Sequence, residues 1–286
     1  MPTALTALWT ANLLGPARAL SFAGEAELLA VRDANSALSL FNSFGSVQGQ
    51  VKIRDLAAAD LAADGSAILI ATSTGRVAWL GIDLKQRWET QLGGRLITAA
   101  IDPFGQYAVV TDDKGALHFL DRHMKSLGRF QSPRPIHHAR FVAAAPFLAC
   151  AGDFGWAGLL DLLRGEWAWS DRPVANIGGL AVGSTGEPLL LACFSEGVRV
   201  YGTGGGPRTT IALAAPCESV AASFDGFRFA ASTKAREVFL GNYKGPPPER
   251  VATPHTPSAL ALSPQADRLF CGYGNATVQC LEVAGG

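Results

Sequence analysis

Turns that contain glycine recur along this 286-residue chain with a period of about forty residues. Gly75, Gly115 and Gly155 follow one another at intervals of 40 residues, and Gly65 and Gly105 mark an earlier turn of the same unit with the same spacing. Each turn is followed by a short apolar run in which hydrophobic residues alternate, as in a strand with one buried face. A period of this length built from short strands is typical of the blades of a β-propeller.

The period divides the chain into seven units, and each opens with an apolar run of the kind expected for an inner strand, such as Thr98 to Ile101. The predicted units are residues 15–53, 54–92, 93–132, 133–173, 174–213, 214–253 and 254–286. We therefore predict that residues 1–286 form a single all-β domain, a seven-bladed β-propeller. Six or eight blades are the alternatives.

The seventh unit is shorter than the others, because only three residues follow its last apolar run, Leu281 to Val283. Residues 1–14 precede the first inner strand and contain the apolar segment Leu5 to Trp9. We predict that this N-terminal segment supplies the outer strand of the last blade, beside residues 278–283. Such a clasp closes the ring and removes two exposed sheet edges.

Two resemblances to known families agree with this fold. Ala99 to Val110 and Leu260 to Pro264 resemble the inner strand and turn of WD-repeat proteins in a degenerate form, since no Gly-His pair opens a unit and no Trp-Asp pair closes one. Gly81 to Thr90 and Asp161 to Trp169 are similar to the repeats of pyrroloquinoline-quinone-type propellers, in which a turn after the third strand leads to a Trp in the fourth. Many members of the quinone family bind no cofactor and act as scaffolds.

Composition excludes some classes of partner. The chain has 24 basic and 24 acidic residues and therefore no basic surplus to hold a phosphate backbone, so nucleic acid is not the expected partner. The sequence contains no window of about twenty uninterrupted apolar residues, so we do not expect it to insert into a membrane. The five cysteines are an odd number without C-x-x-C spacing, which favours buried free thiols in a reducing compartment. With no convincing signal peptide, the cytoplasm is the expected location.

Catalytic and metal-binding motifs are not found in the sequence. It contains no G-x-S-x-G elbow, Walker loop or H-E-x-x-H pair. His137 and His138 are adjacent in a predicted strand, so their side chains point to opposite faces and cannot easily grip one metal ion. We predict no catalytic residue, no metal site and no cofactor.

The favoured function is a non-catalytic protein-protein interaction scaffold, a subunit or adaptor of a larger complex. Its partner is expected to meet the loops between second and third strands, on the end of the propeller that we call the top face. Phe154 and Trp156 flank Gly155 in one of these loops and are the sharpest candidates, because exposed aromatic residues often anchor interfaces. The alternative is that they fold back over the blade edge. The residues that we predict to bind a partner on this face are Phe154, Trp156, Asp112, Asp113, Arg76, Arg236 and Tyr273.

The alternative function is an enzyme or a cofactor- or ligand-binding propeller with a polar site in the central channel. Asp60 and Arg140 are 80 residues apart and occupy equivalent positions in their blades, where other units have small residues. His138 and Arg95 complete the candidate channel lining. Because an unpaired buried charge is costly, the competing interpretation is that these charges are solvated or locally paired.

Overall fold

The computed structural model describes residues 5–152, 154–172 and 175–283, which form 28 β-strands and no helix. The strands make seven four-stranded antiparallel sheets. Six of the sheets contain four strands that are consecutive in the chain, with each strand paired to the next. The predicted seven-bladed β-propeller is therefore confirmed.

Strand β1 precedes the first blade, and the remaining strands follow in blade order. The strands up to the end of blade 3 are β1 (Leu5–Asn12), β2 (Ala17–Ala23), β3 (Leu28–Asp33), β4 (Ala37–Asn42), β5 (Val47–Lys52), β6 (Leu56–Leu61), β7 (Ile68–Thr72), β8 (Arg76–Leu80), β9 (Gln86–Gln91), β10 (Leu96–Ile101), β11 (Tyr107–Asp112), β12 (Ala116–Asp121) and β13 (Ser126–Gln131). Blades 4 and 5 contain β14 (Ile136–Phe141), β15 (Phe147–Gly152), β16 (Trp156–Asp161), β17 (Glu166–Asp171), β18 (Ile177–Val182), β19 (Leu189–Cys193), β20 (Gly197–Tyr201) and β21 (Pro207–Ile211). Blades 6 and 7 contain β22 (Cys217–Ala222), β23 (Arg228–Thr233), β24 (Glu237–Asn242), β25 (Glu249–Ala252), β26 (Pro257–Leu262), β27 (Arg268–Tyr273) and β28 (Thr277–Val283).

The N-terminal strand closes the ring as the sequence predicts. Blade 7 has the strand order β1-β28-β27-β26, so β1 is its outer strand. The pairing is antiparallel and runs from Leu5 opposite Val283 to Asn12 opposite Thr277. Both ends of the described chain thus lie in the same sheet, and neither β1 nor β28 leaves the ring open.

The core is divided into seven hydrophobic clusters, one between each pair of neighbouring blades. Between blades 3 and 4, for example, the inner strands contribute Ala100 and Ala139, while strands farther out contribute Trp156 and Leu160. Small residues near the axis and large ones farther out give the space between two sheets a wedge shape. This shape lets neighbouring sheets pack face to face around a ring.

Each inner strand also has the same irregularity at its second residue. The register of the pairing to the second strand shifts there in all seven blades, as between Leu96 and Thr98 in blade 3. A bulge of this kind adds one unpaired residue and bends the strand. The bulged residues stand at the top of the central channel and are Arg18, Ala57, Ile97, His137, Gly178, Glu218 and Ser258.

Candidate functional site

A concave surface with an apolar lining lies between blades 3 and 4, at the end of the propeller opposite the top face. We call it the 3/4 groove, and its volume is about 670 Å³. Loops that join first to second strands and third to fourth strands form its rim. Four large apolar side chains of the lining are between 53% and 81% exposed, namely Phe104, Tyr107, Leu127 and Leu163.

A fixed turn in blade 3 holds two of these side chains on the rim. Asp102 is buried, and its Oδ1 accepts hydrogen bonds from the backbone N–H groups of Gln106 at 2.6 Å and Tyr107 at 2.5 Å. Its Oδ2 accepts another from the N–H of Phe104 at 3.2 Å. Because the aspartate uses both oxygens to satisfy the turn, Phe104 and Tyr107 project from a constrained backbone.

The opposite rim is the turn between the third and fourth strands of blade 4. Asp161 Oδ1 accepts hydrogen bonds from the N–H groups of Leu163 at 2.9 Å and Arg164 at 3.1 Å. The N–H of Gly165 then donates to the Asp161 carbonyl at 2.8 Å. These bonds close a tight turn that carries Leu163 outwards.

Three other blade interfaces show what can occupy the space that corresponds to the groove. At each of them a residue on the outer strand of one blade faces a residue in the third-to-fourth-strand turn of the next blade. At three interfaces a large side chain at one position covers a glycine at the other: Leu84 with Gly49, Trp169 with Gly205, and Trp9 with Gly45. A Cβ atom placed on these glycines would lie 3.0, 2.4 and 2.6 Å from the large side chain, respectively.

The interface between blades 3 and 4 has glycine at both positions. Gly128 lies on the outer strand of blade 3 and Gly165 in the turn of blade 4, and a Cβ atom on either would meet no atom within 4 Å. The groove is thus the space that a large side chain fills elsewhere in the ring. Gly165 has a φ value of 67°, close to the 59° of Leu84 and the 63° of Met124 in the third-to-fourth-strand turns of blades 2 and 3, so a side chain fits this turn even though the backbone favours glycine.

The groove is lined almost wholly by apolar side chains. Its lining includes two charged residues, Asp102, whose oxygens are both occupied, and Arg129 on β13. Arg129 stands between Gly128 and Phe130 on a regular stretch of strand, so its side chain leaves the sheet on the face opposite the groove. The groove therefore suits an apolar ligand surface.

Two residues predicted on the top face are instead core residues. Trp156 is only 2% exposed and packs in the cluster between blades 3 and 4, with its ring 4.7 Å from that of Trp167 in an edge-on contact. Tyr273 is buried between blades 6 and 7, and its hydroxyl is 3.0 Å from Gln279 Oε1. The prediction that these aromatic side chains face outwards is wrong, because each lies within a strand whose faces both contact neighbouring blades. Phe154 is 80% exposed.

The remaining top-face candidates differ in their surroundings. Asp112 is buried and its Oδ1 accepts from the N–H groups of Lys114 and Ala116, so it fixes its own turn. Arg76 pairs with Glu89 on the outer strand of its blade at 2.8 Å. The exposed candidates lie on three different blades, and their role in binding stays a prediction: Asp113, Phe154 and Arg236.

The channel candidates are divided between the two ends of the channel. A cavity of about 270 Å³ at the lower end is lined by Asp60 and Arg140, whose Oδ2 and Nη1 atoms are 3.8 Å apart. Asp60 also accepts a hydrogen bond from Ser21 Oγ at 2.8 Å and one from the N–H of Ile101 at 3.1 Å. Asp60 of blade 2 is therefore paired locally with groups on blades 1, 3 and 4. Arg95 lines a separate cavity of about 350 Å³ at the top of the channel.

His138 lies partly buried on the inner strand of blade 4. Burial, and then the positive charges of Arg140 and His137, lower the pKa of His138 to about 4 from its ordinary value of 6.5. A hydrogen bond with the backbone of Ile177 opposes this change. The imidazole is thus neutral at pH 7, and its protonation is unfavourable in the folded state.

The lowered pKa of His138 predicts a pH-dependent stability. Between pH 6.5 and pH 4 the unfolded chain binds a proton at this residue that the folded chain does not, so stability falls as the pH falls through this window. A shift of this size corresponds to a loss on the order of 3 kcal/mol at most. We expect His138→Gln to remove this part of the acid sensitivity in urea unfolding followed from pH 7 to pH 4. Identical profiles for His138→Gln and the unmodified protein would contradict the assignment.

The part of the chain that the structure describes contains neither a cluster of metal-ligating side chains nor an activated thiol. No group of three or more His, Cys, Asp or Glu side chains there could hold a metal ion. The five cysteines are unpaired and buried. Burial raises the pKa of the Cys271 thiol to about 12 and that of Cys280 to about 11, which keeps both thiols protonated and poorly nucleophilic at neutral pH.

Comparison with known proteins adds no family assignment. No protein-family model matches the chain, and a search of curated proteins finds no match. Within the described residues, no helix is long and apolar enough to cross a membrane. The molecule is a seven-bladed β-propeller whose fold is compatible with both the WD-repeat and the quinone-type resemblance.

Sequence reasoning does not single out Gly128 and Gly165, which look like ordinary features of strand and turn. What could have revealed them is their position within the repeat. At the same positions other units carry a large side chain, such as Trp169 on the outer strand or Leu84 in the turn. Two glycines at partner positions of one interface predict an unfilled space.

Proposed function

We propose that this protein is a non-catalytic interaction scaffold that binds another protein through the 3/4 groove. The single observation that carries the proposal is the pair of glycines at an interface position where other blades place a large side chain. Around this space stand four large apolar side chains with more than half of their surface exposed. Contiguous apolar surface of this kind is uncommon on monomeric proteins and often marks an interaction site.

The scaffold character rests on the construction of the ring. Seven inter-blade clusters and the β1–β28 clasp hold the sheets together, and hydrogen-bonded aspartates fix the turns that carry the rim. A preformed rim loses little conformational freedom on binding, which favours affinity. We also propose that the protein works in a reducing compartment such as the cytoplasm, in keeping with five unpaired buried thiols.

Filling the groove tests the proposal. Gly165→Met places in blade 4 the side chain that blade 3 carries in the equivalent turn, at a φ value that Met124 adopts. We expect the variant to fold with a loss of stability on the order of 1 kcal/mol, because a side chain at this positive φ value is strained. The affinity for the groove's protein partner should fall at least tenfold, a change of about 1.4 kcal/mol in binding free energy. The measurement is quantitative affinity purification with the full chain, followed by titration of the enriched protein.

The matched control is Gly204→Met. Gly204 lies in the equivalent turn of blade 5, where a Cβ atom also meets nothing within 4 Å, so the same side chain is added away from the groove. Partners that both variants retain do not use the groove. If every partner of the unmodified chain is retained by Gly165→Met, the proposed binding site is wrong.

A further inference from the structure

We infer that the top of the central channel holds a second binding site, in which Arg18 and Arg32 of blade 1 bind the oxyanion group, a phosphate or a carboxylate, of a small molecule. The site lies at the end of the propeller opposite the 3/4 groove and is independent of the proposed function. Three features support it: an arginine at a position where every other blade has a small residue, a second arginine directed to the same place, and the lack of an acceptor for either.

Arg32 is the exception at its position in the repeat. In every blade, one residue of the second strand lies opposite the inner-strand residue that follows the bulge. Outside blade 1 this residue is small, namely Ala71, Thr111, Ala151, Ala192, Ser232 and Gly272. Arg32 lies there in blade 1, opposite Ala19 on one side and Leu38 on the other. Leu38 packs in the cluster between blades 1 and 2, and directly opposite residues share a face of the sheet, so the Arg32 side chain also faces blade 2.

Arg18 is the bulged residue of the same blade, and its counterparts show where a side chain at this position goes. In blade 7 the Oγ of Ser258 donates to the carbonyl of Ala17 in the next blade at 2.9 Å. In blade 5 a Cβ atom on Gly178 would lie 2.3 Å from the carbonyl oxygen of Glu218, the bulged residue of the next blade. The bulged position thus directs its side chain to the following blade. Arg18 is therefore directed towards blade 2, on the same side as Arg32.

Neither guanidinium has an acceptor among the residues that the structure describes. Neither Arg18 nor Arg32 forms a side-chain hydrogen bond or an ion pair there, and the Nε atom of Arg32 is buried without a partner. Burial, and then the positive charge of Arg18, lower the pKa of Arg32, while the charge of Asp33 opposes this change. A buried donor without an acceptor and two neighbouring like charges both destabilise the protein without ligand. An oxyanion between the two guanidinium groups removes both costs.

The adjacent carboxylate cannot serve as this acceptor. Asp33 lies opposite Ala17, which packs in the cluster between blades 7 and 1, so its side chain leaves the sheet on the other face from Arg32. Its Oδ1 accepts the N–H groups of Asn35 and Ala37, each at 2.9 Å, and so fixes the turn that follows. The acceptor for the two arginines must therefore come from outside this strand.

The space available for the rest of the ligand is the cavity of about 350 Å³ at the top of the channel. Ala57, the bulged residue of blade 2 towards which Arg18 is directed, belongs to its lining together with Ser73 and Arg95. The Arg95 guanidinium is exposed and also has no partner among the described residues. A cavity of this size accommodates a small molecule and not a folded chain or a duplex, so the oxyanion belongs to a small molecule with polar groups.

Phosphate-dependent unfolding tests the site. The full-length chain and its Arg32→Met, Arg18→Met and Arg54→Met variants are unfolded in urea at increasing sodium phosphate and constant ionic strength. Because a ligand that binds only the folded state stabilises it, the unfolding midpoint of the unmodified chain should rise with phosphate concentration. Arg32→Met and Arg18→Met should lose this rise and bind phosphate at least about tenfold more weakly in calorimetric titration. Without phosphate, Arg32→Met should unfold at a higher urea concentration than the unmodified chain, because methionine keeps the apolar stem and removes the unpartnered donor.

The control variant removes the same charge nearby. Arg54 is exposed, precedes the inner strand of blade 2 and pairs with Asp55 at 3.6 Å, so Arg54→Met should keep the phosphate response. Repeating the series with malonate and citrate distinguishes the two kinds of oxyanion, since the preferred one gives the larger rise that depends on Arg32. An equal rise in the unmodified chain and in Arg32→Met is the general effect of such anions on folded proteins and overturns the inference. An unmodified chain whose midpoint responds to none of these anions overturns it as well.

Discussion

Replacing Trp156 with alanine is expected to lower the free energy of unfolding by about 3 to 5 kcal/mol, the range for truncating a large buried aromatic side chain. The indole is 2% exposed, lies edge-on to Trp167, and approaches Gly158 so closely that a Cβ atom there would be 2.9 Å from its Cη2 atom. No neighbouring side chain can readily fill the cavity that remains between blades 3 and 4. Urea unfolding followed by fluorescence and by circular dichroism measures the loss.

Phe154 provides the internal control for this prediction. It stands on the other side of Gly155 and is 80% exposed, so Phe154→Ala should change the unfolding free energy by no more than about 0.5 kcal/mol, as for most surface substitutions. Trp156→Phe keeps an aromatic ring in the cluster and should recover part of the stability. Equal and small effects of the two alanine variants would show that Trp156 is not a core residue.

Trp156 illustrates where periodicity in the sequence stops being informative. The repeat and the alternation of apolar residues predict the strands, their order in each blade and the number of blades. They do not tell which side of a middle strand faces out, because neither side does: five of the six residues of β16 are buried. A strand between two neighbouring blades has no solvent face, so an aromatic residue at its start resembles a loop residue in the sequence.

Equivalence between repeats predicts proximity more reliably than it predicts chemistry. The 80-residue separation of Asp60 and Arg140 places them at one level of the channel, and their side chains approach to 3.8 Å. What the sequence could not show is that Asp60 also accepts hydrogen bonds from Ser21 and from the Ile101 backbone. Those bonds depend on how closely the inner strands of blades 1 and 3 approach the axis.

The 3/4 groove depends on contacts between repeats that a single repeat does not contain. The turn at Gly165 has a φ value of 67°, and this alone accounts for a glycine in the sequence. The sequence does not show that the space around Gly165 is empty. That conclusion requires knowing that the turn of blade 4 faces the outer strand of blade 3 at Gly128. The structure supplies that pairing of positions.

Replacing Trp9 with alanine is expected to destabilise the protein by about 3 kcal/mol, the lower end of the range for aromatic truncation because its side chain is only partly buried. Trp9 lies on β1, yet its ring stacks on Phe41 of blade 1 with centroids 6.0 Å apart, and its Nε1 donates to the Ser43 carbonyl at 2.9 Å. The residue thus joins the outer strand of the last blade to the first blade. Thermal and urea unfolding measure the loss.

A neighbouring residue separates this effect from general damage to the clasp strand. Leu8 is on the same strand with nearly half of its surface exposed, so Leu8→Ala should cost less than about 1 kcal/mol. Trp9→Phe keeps the contact with Phe41 but loses the hydrogen bond to Ser43, and should fall between the two. Because β1 pairs with β28 through its backbone, Trp9→Ala should still fold into a closed ring at low temperature but open at the junction of blades 7 and 1 first. Hydrogen exchange should then show faster exchange in β1 and β28 than in β10 and β11, and uniform acceleration in all blades would contradict a role confined to ring closure.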